Sequence, residues 1–521
     1  MRLDRLEVSA YKNLRDFVID FDGTQPTTVL IGENGAGKSN LFEAIVRIFR
    51  SLDFGEDPPF RYTIRYRCRG LTVHLATDPG RSGGDRYSIK LIREDGGADA
   101  IPWSRFFEAR DRYLPAYVFA YYSGPGERLR RLFDRHMRDW YEALLRGDRP
   151  DRDIRRLFYC LPEHSRLVLL AYFIQGDLDR TFLRDVFGID DFDSAMLVLR
   201  QPGWVRRENR DERFWGALGL VRSFLERLGE VALAPLRIET DYTSDFRKQK
   251  TRESRLHLYL PDVETLRRVG AGWSTPLQLF SALESVYTND LLRDVQIRVR
   301  SGRASISFSE LSEGEQQLLT VVGLLRFTQA EESLFLLDEP DTHLNPRWKL
   351  RYLTLLREQA GALSNSHLLI STHDPLTIAD LTSDQVRIFS RMESEDRRVT
   401  VQPPAEDPRG LGVTGVLTEL FGLPTTLDPT TQEKLDERER LASRLDSLTS
   451  EELLRLQALN RELRGMGFAG ERRDPIEARF LTELRRWQRK DSRSFPQIPV
   501  AEQRTIARTI LERISAERGP K

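Results

Sequence analysis

Apolar and polar residues alternate from Phe17 to Phe21, the pattern of a half-buried strand. Thr27 to Ile31 is a β-branched, apolar run that fits a buried strand. From Ser39 to Phe49, Leu41, Ile45 and Ile48 fall on one face of a predicted helix. Tyr62 to Tyr66, Leu71 to Leu75 and Tyr87 to Ile92 read as strands, with a glycine-rich turn at Gly80 to Gly84. Val118 to Tyr122 reads as a strand entering the turn Ser123 to Gly126. Asp151 to Leu260 mixes helical segments with Pro and Gly breaks and has one expected strand, Leu256 to Leu260. Gln296 to Val299 and Ala304 to Phe308 read as two more strands. The apolar stretch Leu318 to Leu325 predicts a helix. Ser333 to Leu337 and Leu368 to Ile370 predict buried strands, each ending in polar residues. Pro403, Pro404, Pro408, Gly410 and Gly412 mark a linker into a helix-rich tail, Gly415 to Lys521. Charged residues run through Glu433 to Arg464 of this tail, a pattern open to a short helical hairpin or a single solvated helix pair.

The 521 residues hold 80 Lys+Arg against 80 Asp+Glu, with 40% hydrophobic and 31% charged, the balance of an ordinary soluble protein. The length predicts two or three lobes. Leu167 to Ile174, the longest apolar run, is less than half a bilayer span, and Met1 to Ala10 has no signal-peptide core. No membrane is expected, and a cytoplasmic location is. Cys68 and Cys160 read as lone buried thiols. Of the basic residues only nine are Lys and 71 are Arg, as codon bias produces. Overall neutrality removes any simple argument for a nucleic-acid coat.

The strand at Thr27 to Ile31 runs into Gly32-Glu33-Asn34-Gly35-Ala36-Gly37-Lys38-Ser39, the G-x-x-x-x-G-K-S phosphate-loop spacing between a strand and a helix. Glycines let backbone N–H groups turn inward around a phosphate, and the following helix adds its positive end. Lys38 carries a charge for the β- and γ-oxygens, and the Ser39 hydroxyl can ligate Mg²⁺. Residues 32–39, with Asn40 after them, are the candidate nucleotide-binding set.

A second cluster lies far downstream. Leu311-Ser312-Glu313-Gly314-Glu315-Gln316-Gln317 precedes the apolar helix. The strand from Ser333 ends in Asp338-Glu339-Pro340, with Asp341 and His343 next, and the strand from Leu368 ends in Ser371-Thr372-His373-Asp374. In this order the segments resemble the ABC-type ATPase head shared by SMC and RecF-like proteins. The likeness covers about 45 residues at the N-terminus and about 75 around 305–380. It implies an α/β fold: a P-loop NTPase head with a mostly helical insertion and a helical C-terminal tail. ATP and Mg²⁺ are the implied cofactors. Asp338 would hold the Mg²⁺ with Ser39. Glu339 would activate the attacking water, and His373 would contact the γ-phosphate or that water. Glu339, His373 and Lys38 are the catalytic candidates. The resemblance further implies a homodimer or higher homo-oligomer with ATP at the interface. Ser312, Gly314, Glu315 and Asp341 would meet the nucleotide held by another subunit.

The expected domains are 1–127, the N-terminal head with its flanking sheet; 128–295, a mostly helical insertion; 296–402, the rest of the head; and 403–521, linker and tail. About 270 residues separate Ser39 from Leu311, without sustained heptads or repeats. Val118 to Gly126 occupies the Q-loop position, but the usual Gln is missing. Arg128 to Phe158 holds ten Arg against six acidic residues, which a solvated helical face explains and a DNA or partner surface would also use. From Glu471 onward 13 basic residues face eight acidic ones, too modest an excess to imply a ligand. Val416-Leu417-Thr418-Glu419-Leu420-Phe421-Gly422-Leu423-Pro424, Thr430 to Leu435 and the loop Glu339-Pro340-Asp341-Thr342-His343-Leu344 resemble the PtuA-type ATPases of Septu-like antiphage systems and the restriction-system-associated ATPases. That likeness implies an HNH nuclease partner (PtuB-like) under nucleotide control. A RecF/SMC-like DNA-repair ATPase that clamps DNA shares every head motif and stays open as an alternative, with DNA as its partner. An OLD-type ATPase-nuclease is disfavoured, because neither a V-E-G strand nor a later D-x-D follows His373.

Overall fold

The computed structural model describes residues 1–148, 151–174, 181–205, 213–242, 251–328, 331–359, 365–391, 398–466 and 499–516, with single positions at 480, 483, 484 and 487. The chain divides into two compact units, Met1–Val29 with Gly37–Thr377, and Leu30–Ala36 with Ile378–Lys521.

In the first unit, six antiparallel strands lie in the order Leu14–Asp20, Arg2–Tyr11, Tyr62–Cys68, Leu71–Thr77, Tyr87–Ile92 and Ala98–Ile101. Their alternation has a physical cause: Leu6, Val8, Phe17, Ile19, Ile64, Val73, Leu75 and Ile89 are buried, while Arg5, Arg65 and Lys90 face solvent. A parallel set comprises Leu157–Tyr159, Tyr117–Tyr122, Ser333–Asp338 and His367–Ser371 in that spatial order. The interiors of these strands are apolar because both faces are covered, and the polar residues stand at their ends. Leu368 N–H donates to Pro26 O at 2.8 Å, placing the start of Thr27–Gly32 beside them. His367 is wholly buried here. Its Nδ1 accepts from Leu3 N–H at 3.0 Å, so Nε2 carries the proton and faces Thr28 Oγ1 at 3.2 Å. Burial holds that imidazole neutral, its pKa well below the ordinary value.

Helix Lys38–Phe54 buries Leu41, Phe42, Ile45, Val46, Ile48, Phe49 and Leu52, and ends at Gly55 in the left-handed region with φ 69°. The intervening stretch contributes helices Asp134–Arg146, His164–Ile174, Gly219–Val231, Val263–Gly270 and Pro276–Thr288. It also contributes an antiparallel sheet in the order Leu233–Tyr242, Thr251–Leu260, Asp191–Arg200, Leu292–Ser301 and Ala304–Ser307. The strands expected at 296–299 and 304–308 therefore close this sheet against Asp191–Arg200, which the sequence did not mark. Strand Asp191–Arg200 has neighbours on both edges and buries Leu197, Val198 and Leu199 in succession, so its pattern lacks clean alternation.

The Arg-rich segment is partly internal. Arg155 and Arg156 are buried, paired with Glu284 at 2.7 Å and Asp53 at 2.7 Å. The side chain of Asp53 also meets His136 Nε2 at 2.9 Å. The local excess of positive charge thus serves, in part, to stitch helices Asp134–Arg146, Pro276–Thr288 and Lys38–Phe54 into one unit.

In the second unit, Val386–Arg391 pairs antiparallel with Val399–Gln402, with Ile388 opposite Gln402 and Arg391 opposite Val399. Helices Pro429–Ala442 and Ser450–Gly465 form the hairpin that the charged stretch left open, around Leu441, Leu456 and Leu459. Asp428 and Thr449 cap them by accepting from Thr431 and Glu452 N–H. Among the described residues no helix is long and apolar enough to cross a membrane.

Candidate active site

Two parallel strands end side by side: Asp338 stands opposite Ser371 on one flank and Tyr122 on the other. The carboxyl ends of parallel strands are where α/β folds place ligands. Asp338 is only 3% exposed. The Ser371 hydroxyl donates to its Oδ1, and the Ser39 hydroxyl lies near enough to the same carboxylate to favour its charged form. Burial raises the pKa of Asp338; the two hydroxyls and the charge of Lys38 act the other way, and the neighbouring Glu339 adds to the rise. An oxygen-only pair, Asp338 with Ser39, suits a hard divalent cation such as Mg²⁺. Among the described residues no three or more His, Cys, Asp or Glu side chains gather as a metal cage. A bound Mg²⁺ would therefore take its remaining ligands from phosphate oxygens and water.

Lys38 and Ser39 open helix Lys38–Phe54, whose N-cap Gly37 has φ 109° and ψ 4°. A side chain at Gly37 would be strained by that dihedral and would meet the Asn13 amide at 3.1 Å. No acidic residue stands in the helix's own first turn, so its positive end is not offset from within the helix. The second unit holds the rest of the loop, with Gly32 at φ 136° and Gly35 at φ 71°. Two residues of this region have partners that the sequence did not mark. The Ala36 N–H donates to Glu33 O at 3.1 Å, closing the loop's own turn. Asn40 donates to Asn13 Oδ1 at 2.6 Å, which makes it a brace between the helix and the first hairpin.

Glu339 lies just beyond Asp338 with φ 52°, a conformation non-glycine residues rarely adopt. Its backbone N–H is held by Ser371 O at 3.0 Å. That turn brings Glu339 Oε1 to 2.9 Å from His373 Nε2, with both side chains about one-third exposed. The His373 hydrogen bond lowers the Glu339 pKa, and partial burial opposes it. The sign is that of a depressed carboxylate. The pairing stabilises the fold above the ordinary carboxylate pKa and is lost as pH falls through the depressed value. At neutral pH Glu339 is ionised and able to accept a proton. Lys38, Ser39, Asp338, Glu339 and His373 thus converge within one unit.

The AAA-domain family described as "AAA domain, putative AbiEii toxin, Type IV TA system" matches residues 204–379, and the AAA ATPase domain family matches residues 1–74. The chain is 27% identical over 160 residues to the Septu protein PtuA of Bacillus mycoides (strain KBAB4), covering 28% of this chain and 22% of that protein. It is 28% identical over 125 residues to the Retron Vc95 probable ATPase of Vibrio cholerae serotype O1 biovar El Tor, covering 22% and 23%. Segments of the chain thus match AAA ATPase domain families, and over 160 residues the chain resembles PtuA. It spans less than a quarter of the length of each of these curated relatives. Solved structures similar to it include the SMC head domain from Thermotoga maritima, at TM-score 0.32 and 14% identity over 77% of this chain and 99% of that one. The Smc head domain with coiled coil and joint from Pyrococcus yayanosii gives 0.32 and 13%, over 78% and 97%.

The segment Leu311–Gln317 leads into helix Glu313–Phe327, capped by a reciprocal box. Ser312 Oγ accepts from Glu315 N–H at 3.3 Å, and Glu315 Oε2 accepts from Ser312 N–H at 2.8 Å. The Glu315 side chain is therefore engaged in the cap of its own helix. Ser312 is exposed, whereas Gly314 is buried where a Cβ would come within 2.6 Å of His343 O. Only glycine allows the helix to sit that close to the loop after Glu339. The amide of Gln317 donates to Pro340 O in the same seam.

Expected to act across an interface, Asp341 is 3% exposed and accepts from Thr372 Oγ1 at 2.6 Å and from Thr377 Oγ1. Burial raises its pKa against those two bonds. It joins the loop after Glu339 to the segment around His373. Thr372 and Thr377 are themselves buried. Asp341→Ala should therefore destabilise the protein by about 2 kcal/mol, since two buried hydroxyls lose their acceptor. Urea unfolding checks this, and Asp341→Asn, which keeps an acceptor oxygen, should recover most of the loss. Sequence reading missed Ser371, Thr372 and Asn13. The polar end of the strand from His367 was a signal for the first two, and nothing local marked Asn13.

Proposed function

We propose that this chain is the ATP-hydrolysing switch subunit of an antiphage defence complex, closing around ATP as a dimer and controlling an associated HNH nuclease. The observation that carries the hydrolytic part is the approach of His373 to Glu339 beside the Asp338–Ser39 pair. Bound Mg²⁺ would neutralise charge on the β- and γ-phosphates. Lys38 and the N–H groups opening helix Lys38–Phe54 would grip the phosphate tail. Glu339 would take a proton from the attacking water, and His373 would orient Glu339 and the γ-phosphate. The exposed Ser312, at a helix tip with Gly314 packed behind it, is suited to meet nucleotide bound to a second subunit.

The defence role rests on the likeness to PtuA and the retron ATPase, and the nuclease partner on the likeness to PtuA. A phage challenge tests both. Cells carrying the chain with a neighbouring HNH nuclease gene should lower plating efficiency by about tenfold or more, and Glu339→Gln should cancel the protection. The untagged nuclease should copurify with the tagged chain. Protection that survives Glu339→Gln, or a chain that purifies without the nuclease, would contradict the proposal.

A further inference from the structure

Arg391 ends strand Val386–Arg391 in the second unit, and its guanidinium reaches the phosphate-loop residues of the same unit. Its Nε and Nη2 both donate to the Gly35 carbonyl, at 3.1 and 2.5 Å. A fork on one carbonyl is geometry that Arg supplies and a single ammonium does not. The other pole of that peptide is also held, because the Ala36 N–H donates to Glu33 O at 3.1 Å. Strand Val386–Arg391 follows the loop closely: a Cβ on Gly32 would overlap the Phe389 carbonyl, and one on Gly35 would overlap the Arg391 guanidinium. The peptide joining Gly35 to Ala36 is thus clamped at carbonyl and amide, one position before Gly37 and two before Lys38.

We propose that Arg391 is a positioning residue for ATP binding. It pins the loop apex in the shape that turns the following amides toward the phosphate. A loop with rotating glycines must lose that freedom when nucleotide binds, and a clamp that removes it beforehand raises affinity. The clamp is equally present with ground state and transition state bound, so it acts on KM and leaves kcat. Neither matched family segment includes this residue. The inference rests on the ATP-binding reading of residues 32–39.

The test compares Arg391→Ala, Arg391→Lys and Arg391→Gln in the full chain, measuring KM, kcat and equilibrium binding of fluorescent ATP. Arg391→Ala should raise KM and the dissociation constant about tenfold, with kcat within about twofold. Arg391→Lys, with one charged donor, should recover part of the affinity, and Arg391→Gln less. Arg391 is exposed, so the melting temperature without nucleotide should move by no more than about 2 °C. ATP affinity within twofold of wild type in Arg391→Ala would overturn the inference, as would a fall confined to kcat or a loss that tracks thermal destabilisation. Retained affinity in Arg391→Ala alongside lost binding in Lys38→Ala would refute the clamp and leave the ATP site standing. Retained binding in Lys38→Ala would refute the site itself.

Discussion

Replacing Glu339 with Gln should cut ATP turnover by about a thousandfold and leave ATP bound at least as tightly as in the wild type. The change is isosteric and tolerates the same backbone, including the φ of 52°. A Gln carbonyl can still accept from His373 Nε2, now 2.9 Å from the carboxylate. What it cannot do is take a proton from water at neutral pH. The His373 hydrogen bond lowers the pKa of the carboxylate, so the base proposed for the wild type is ionised across that range. Removing one negative charge beside a bound triphosphate also lowers repulsion, which favours retention of ATP. Phosphate release under saturating ATP, paired with equilibrium binding, separates the two effects. Turnover near wild type would remove Glu339 from the role of base.

Lys38→Ala should weaken ATP binding by about a hundredfold, the size of a lost charge-assisted contact in a sheltered site. Lys38 is only 5% exposed, and its charge acts on both Asp338 and Glu339. Its removal costs the phosphate a cation and leaves two carboxylates facing the anion without their counter-charge. Binding of fluorescent ATP to the purified variant measures this directly. Unchanged affinity would set aside the phosphate-loop reading of residues 32–39.

Much of this site could be read from the chain alone because its parts are short, contiguous and tied to one local shape. The Gly32–Ser39 run between strand and helix, the apolar strand ending in Asp338-Glu339 and the capped start at Ser312 each demand particular residue types at fixed spacing. What escaped the sequence is contact between distant segments. Ser371 meets Asp338 only through the register of two parallel strands. Asn13 meets Asn40, and Arg391 meets Gly35, across long separations with no pattern linking them. The partners of Asp341 and Glu315 escaped the sequence for a related reason. A motif fixes where a residue stands in the chain but not which neighbour claims its side chain. Here the buried Thr372 and Thr377 claim one, and a helix cap claims the other. The strand Asp191–Arg200 was missed because central strands lose the alternation that marks half-buried ones.

The central claim is that one chain's phosphate loop and a second chain's Ser312 helix tip share a nucleotide. Light scattering of Glu339→Gln in saturating Mg²⁺-ATP tests it most directly, with Ser312→Arg added as the interface control. The account predicts the mass of two chains with ATP, of one chain without nucleotide, and of one chain again once Ser312 is replaced. A Glu339→Gln protein that holds ATP and still runs at the mass of a single chain would contradict it.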